Sequence, residues 1–208
     1  MTLAPPAPVE ARPVPDAVLA CIARTGVTGL TVDDIAREAG CSRATIYRSF
    51  PSKRALVAAA VEAAADRLVG RLVAAADAAP TLADAVTAVV LTGAAFVATE
   101  PALVTVADRE PHLLHPHLAF EGGDRLLVAA GERLAPAFAR FAADPTRVAA
   151  WTVRLGLCLC WFPNPPVDVA DPVAVADLVA TFVAPGLTDT PHIPHAVHRD
   201  PGNPQEDR

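Results

Sequence analysis

GLTVDDIAREAGCSRATIYRSF, residues 29–50, holds two short helical patterns separated by a single glycine. Thr31 stands where an N-cap belongs, and Asp33 and Asp34 follow in the first turn, where the helix dipole favours acids. Val32, Ile35, Ala36 and Ala39 share one face, and Gly40 ends the segment as a left-handed cap would. Ser42 can cap a second helix that carries Ile46 and Tyr47 and ends near Phe50. Ala36 is small where two helices cross closely, and Ile35 and Ile46 fill the space between them. Two short helices joined by a Gly-containing turn, the second polar and basic, form the pattern of a DNA-binding helix-turn-helix. Its outward face, Ser42, Arg43, Ala44, Thr45 and Arg48, would then enter a major groove. Arg43 suits guanine edges, Ala44 and the Thr45 methyl suit thymine methyls, and Tyr47 suits a phosphate. The competing reading is a short solvated helix that merely joins two core helices.

Outward from this stretch the chain reads as helix throughout, with no convincing strand and no internal repeat. A first helix spans about 14–25, with Val14, Val18 and Ile22 at helical spacing and Gly26 as a stop. A long helix over about 52–78 carries Leu56, Ala60, Ala64 and Leu68 on one stripe and is broken at Pro80. Helices follow at 82–99, 101–109, 124–141 with a kink around Pro136, 146–162 and 172–184. Residues 1–15 and 185–208 hold five prolines each, and the expected layout follows from this. An N-terminal arm (1–13) precedes a three-helix helix-turn-helix domain (14–55), a larger helical domain (56–184) and a Pro/His-rich tail (185–208). The fold class is all-α.

The segment from Val14 to Leu68 resembles the N-terminal domain of the tetracycline-repressor (TetR) family of bacterial transcription regulators. GLTVDDIAREAG, SRATIYRSF and PSKRAL, in this order and spacing, carry the resemblance. The remaining residues match only in helical layout. The resemblance implies that Thr31 and Lys53 hold backbone phosphates at either side of the groove. It makes Ser42, Arg43, Ala44, Thr45, Tyr47 and Arg48 the recognition surface. Lys53 also opens the long helix, where backbone N–H groups favour a phosphate. Arg54 departs from the family pattern, which has an acid after the lysine, at a local cost of a few tenths of a kcal/mol.

The resemblance further implies a C-terminal domain that binds a small-molecule effector and forms a homodimer through a four-helix bundle of the last two helices. The residues support the dimer independently, because both helices are apolar all round and must be buried on all sides. Trp151, Leu155, Cys158 and Phe162 on one helix, and Val175, Leu178, Val179 and Phe182 on the other, are the expected dimer face. A central core helix in a monomer is the bland alternative. The effector pocket is expected within 82–162, lined by Phe96, Leu103, Val106, Leu126 and Trp151, with Arg154 as partner for an anionic group. The scarcity of polar residues there points to a hydrophobic effector.

The net charge of −6 does not exclude nucleic acid, because its distribution is uneven. Residues 1–70 hold eight Arg/Lys against seven Asp/Glu, and from Arg37 to Arg54 five basic residues face one acid, Glu38. The longest uncharged run in the middle of the chain, 85–99, is shorter than the ~20 residues a bilayer span needs. The N-terminus lacks a signal-peptide pattern, so a cytoplasmic location and no membrane are expected. Cys21, Cys41, Cys158 and Cys160 contain no CxxC and are expected to be buried thiols. No cofactor and no catalysis are expected: there is no nucleophile triad, phosphate loop or paired carboxylate. The alternative function is a small helical metal-binding protein or enzyme centred on His112, His115 and His117 with Glu110 or Glu121, although no known ligand spacing is present. The expected function is a ligand-responsive transcriptional regulator, a repressor released from a pseudo-palindromic double-stranded operator by its effector.

Overall fold

The computed structural model describes residues 12–113, 124–161 and 167–188, the side chains of 124–126 excepted. The helices are α1 (Val14–Thr25), α2 (Val32–Ala39), α3 (Arg43–Ser49), α4 (Lys53–Ala78), α5 (Leu82–Thr99) and α6 (Pro101–Arg109). After a 3-10 turn at Pro111–Leu113 come α7 (Asp124–Phe138) and α8 (Pro145–Trp161). The last described stretch runs from α9 (Pro172–Leu178) through a π-helical segment (Val179–Val183) into α10 (Ala184–Thr188).

Local chemistry sets most of these boundaries. Thr31, Ser42, Ser52 and Thr81 each accept a hydrogen bond from a backbone N–H in the first turn they precede. Caps of this kind contribute about 1 kcal/mol each. Gly40 adopts the left-handed conformation at φ 67°. Its N–H reaches Arg37 O and the N–H of Cys41 reaches Ala36 O, the paired closure of a Schellman motif. The C-terminus of α4 has no glycine and no basic residue in its last turn. Arg140, beyond α7, supplies the missing donors, bonding to the carbonyls of Ala76, Asp77 and Ala79 at 3.1, 2.7 and 2.7 Å.

Two apolar cores result. One gathers Phe138, Leu134, Val86, Val90, Val148, Val175 and Val179 from α4, α5 and α7 to the π-helical segment. The other gathers Val18, Ile22, Ile35, Ile46 and Leu56 from the first four helices with Leu30 from the α1–α2 connection, and it also takes Ala102 and Val106 from α6. The sequence reading placed α6 in the larger C-terminal domain; its inner face instead belongs to the N-terminal core. Helix α4 runs through both cores, so no linker separates them.

Two further expectations change. The chain stays helical to Thr188, past the expected end at 184, and Pro185 lies inside this helix rather than opening a tail. A proline ring clashes with the carbonyl four residues before it. A wider π turn, Val179–Val183, lies immediately upstream. Helix α7 ends at Phe138, two residues beyond Pro136, short of the expected 141. The 18-residue α5 is, by length and composition alone, apolar enough to cross a bilayer, longer than the run of 85–99 implied. Its Leu82, Ala85, Val86, Val89, Val90 and Ala94 are buried within the protein.

Candidate nucleic-acid interface

Helix α3 turns Ile46 fully inward, and this fixes what points out. Ser42, Arg43, Ala44, Tyr47 and Arg48 are exposed, and Thr45 is half-buried. Ser42 Oγ accepts the N–H of Thr45 at 3.1 Å and lies 2.9 Å from the Thr45 hydroxyl, so both hydroxyls serve the cap of α3. One guanidinium nitrogen of Arg43, Nη1, donates to Asp33 Oδ2 at 3.3 Å and lies 3.1 Å from its Oδ1. Tyr47, one turn on, is the largest influence that raises the Arg43 pKa, followed by Asp33. Asp33 therefore belongs to this surface, although the sequence reading used it only as a helix-dipole acid.

The two expected flanking residues are exposed as well. Thr31 Oγ1 accepts the N–H of Asp34 and donates to the Asp34 carboxylate. Lys53 is exposed at the start of α4, and its ammonium donates to Thr28 O at 3.2 Å. Arg48 and Arg54 are exposed and make no ion pair among the described residues. Glu38, the one acid between Arg37 and Arg54, is engaged by Arg24 at 2.8 Å and by Arg12. With Arg43 paired to Asp33, the charges of Arg48, Lys53 and Arg54 are left facing solvent.

Helix α6 grips the turn that leads into this surface. The last carbonyls of α1 have no partner within the helix. Thr105 Oγ1 donates to Ala23 O at 2.8 Å and Arg109 to Arg24 O at 3.4 Å. The buried Glu110 carboxylate accepts the N–H of Val27 at 2.6 Å and of Thr28 at 2.8 Å. Gly26, at φ 73°, leaves room for it, since a Cβ there would stand 2.8 Å from Glu110 Oε2. Glu110 was weighed as a metal ligand; both of its oxygens are instead committed to backbone N–H groups. An acid at a helix C-terminus opposes the dipole, and this was the one signal in the sequence that Glu110 needed donors from elsewhere. His115, His117 and Glu121 lie outside the described residues.

Hydrogen bonding by Thr28, chiefly its side chain, holds the Glu110 pKa below its ordinary 4.5 against the opposing effect of burial, and Val27 and His112 add to it. A depressed carboxylate pKa gives stability that is full above the ordinary value and lost as pH falls through the folded one. Wild-type protein is therefore expected to lose thermal stability below pH 4.5 more steeply than Glu110→Gln. Unfolding scans at stepped pH check this; parallel curves would contradict it.

The expected effector residues differ in burial. Phe96, Leu103 and Arg154 are half-buried, and the Leu126 side chain lies outside the described residues. Val106 is buried in the N-terminal core and Trp151 is 59% exposed, so neither lines a common pocket. Two clefts lie among the described residues away from this set. One of about 470 Å³ borders Thr81, Leu82, Ala180 and Thr188, and one of about 240 Å³ borders Asp16, Leu19, Arg67 and Glu100.

The expected dimer face is half corrected. Trp151 and Cys158 are exposed on α8 with Leu155 half-buried between them; Phe162 lies outside the described residues. Cys158 is therefore not the buried thiol expected from its apolar surroundings. Val175 and Val179 are fully buried in their own chain's core, and Leu178 is half-buried. The outward stripe is Val173, Ala176 and Ala180, followed by Phe182, which is 74% exposed.

A helix-turn-helix with a basic, outward second helix, carried on a larger helical domain, defines the DNA-binding transcriptional regulators. Residues 16–60 match the family model described as bacterial regulatory proteins, tetR family. Those residues form a TetR-type N-terminal DNA-binding domain. Solved structures share its fold along most of its length. The TetR-family repressor AlkX from Dietzia sp. strain DQ12-45-1b, implicated in n-alkane biodegradation, is 22% identical. That match covers 84% of this chain and 92% of AlkX at a TM-score of 0.64. A TetR-family regulator from Pectobacterium atrosepticum is 20% identical over 86% and 93% of the two chains, at 0.56. FadR from Bacillus subtilis, in complex with stearoyl-CoA, is 16% identical over 81% and 96%, at 0.52. No curated protein sequence matches.

Proposed function

We propose that the protein is a ligand-responsive repressor that binds a pseudo-palindromic operator as a homodimer. The observation that carries the reading is the α3 surface: exposed Arg43, Ala44, Tyr47 and Arg48, with Thr31 and Lys53 on its flanks. Arg43 reads a base edge after exchanging Asp33 for it, while Thr31, Tyr47 and Lys53 hold phosphates. TetR-family regulators bind operator DNA and small-molecule effectors and act as dimers. Trp151 and Phe182, exposed on the last helices, support a partner copy at that face. Two such copies would set recognition helices about 34–36 Å apart, one turn of B-DNA. Work on an operator implies a cytoplasmic location and no membrane.

The proposed effector is apolar, of the alkyl or acyl class. The middle helices offer mostly Ala, Val and Leu, and two regulators of the same fold are concerned with n-alkane breakdown and with stearoyl-CoA. Phe96, Leu103 and Arg154 stay in the proposed lining; Val106 and Trp151 leave it. Release requires that the effector bind the off-DNA arrangement of the dimer better than the operator-bound one.

The test uses a duplex enriched from a random pool by the wild-type protein. Arg43→Ala is expected to relax base preference at one position, costing about 1–3 kcal/mol there. Lys53→Ala should weaken all duplexes alike and flatten the salt slope by about one. Failure of either variant to alter retardation would sink its assignment.

A further inference from the structure

We propose that Glu110 is a positioning residue for DNA binding: from α6 it holds the turn whose Thr28 carbonyl seats Lys53. The inference rests on the reading of Lys53 as a phosphate contact. Residues 26–30 connect α1 to α2 through two glycines. Gly26 sits at φ 73°, and a Cβ on Gly29 would stand 2.6 Å from Thr25 O. A turn so rich in glycine has many conformations open to it and needs an external restraint to stay in one. Glu110 is that restraint. Burying a carboxylate is costly unless donors meet it, and here the N–H groups of Val27 and Thr28 do so.

Thr28 is consequently held at both ends. Its N–H is fixed by Glu110, and its carbonyl accepts the Lys53 ammonium. Three residues on, Thr31 caps α2. Both proposed phosphate contacts at the flanks of α3 are thus placed by a turn that a residue 82 positions away keeps in register. The bonds from Thr105 and Arg109 to Ala23 and Arg24 fix the same end of α6 against α1, so Glu110 acts from a firm base.

The test compares full-length wild type, Glu110→Gln, Glu110→Asp, Lys53→Ala and the Glu110→Gln/Lys53→Ala double variant. The probe is the wild-type-selected duplex, titrated across salt concentrations. Glu110→Gln is expected to weaken binding about tenfold and, like Lys53→Ala, to flatten the salt slope by about one. The double variant should be weaker than Lys53→Ala alone by less than the loss that Glu110→Gln causes by itself, since the two share the Lys53 contact, and Glu110→Asp, which keeps the charge, should recover part of the loss. A Glu110→Gln slope that matches wild type while Lys53→Ala flattens it would make Glu110 a structural staple only and overturn the inference. If Lys53→Ala itself leaves the slope unchanged, the Lys53 assignment falls and the inference falls with it. Should Glu110→Gln not fold, hydrogen exchange on the wild type decides. Slowly exchanging Val27 and Thr28 amides are expected, and amides exchanging at free-peptide rates would overturn it.

Discussion

Ile46→Ala is expected to destabilise the N-terminal core by about 2–5 kcal/mol and to remove most DNA binding with it. Ile46 is the only fully buried side chain of α3, and it packs in one cluster with Val18, Ile22, Ile35 and Leu56. A seven-residue helix cannot hold itself together in water. The Ser42 cap contributes about 1 kcal/mol, so the orientation of α3 depends mainly on this one anchor. Set against a total stability of roughly 5–15 kcal/mol, the loss is large. Urea unfolding followed by circular dichroism measures it. A loss below about 1 kcal/mol would mean that the site collapses around the smaller side chain and that α3 is held some other way.

Trp151→Glu combined with Phe182→Glu is expected to convert a dimer into a folded monomer and to weaken operator binding by about 10²–10⁴-fold. Each aromatic presents on the order of 150–250 Å² of surface when uncovered, and in the single chain both are exposed. Neither supports its own core, so helical content and the monomer's unfolding midpoint should change little. A charge placed in a partner-facing apolar seam has no donor to meet it and opposes association. The loss of affinity follows from occupying one half-site instead of two. Sedimentation velocity and gel retardation together check this outcome. A double variant that remains dimeric would move the dimer contact away from this face.

What was legible in the sequence is whatever short-range chemistry decides. Thr31 and Ser42 announce helix starts and cap them. Gly26 and Gly40 announce stops, and the latter adopts the left-handed turn expected of it. The bounds of α1, α5 and α6 follow from such marks to the residue. Most of the outward set on α3 was legible as well, because one isoleucine fixes which side points in; Thr45 alone of that set is half-buried.

What failed depends on facing rather than on helicity. Where a helix is apolar all round, periodicity cannot say which stripe meets its own core. Val175 and Val179 consequently turned inward while Val173 and Phe182 remained outside. Helix α6 has one strongly apolar face, yet nothing local reveals that Ala102 and Val106 join the N-terminal core. Arg140, Glu110 and Asp33 act on partners from 10 to 83 residues away, and such pairings come only with the fold. Pro185 looked like the start of an irregular tail because a proline commonly ends a helix.

The most direct measurement is selection of duplexes from a random-sequence pool by the full-length wild-type protein at moderate salt. The enriched sequence is expected to be an inverted repeat whose half-site centres lie about 10–10.5 base pairs, or a multiple of that, apart. Its preference at one base pair per half-site should be lost with Arg43→Ala. A pool that emerges without any enriched sequence, or one whose preferences Arg43→Ala leaves intact, would contradict the assignment of α3 as the reading helix.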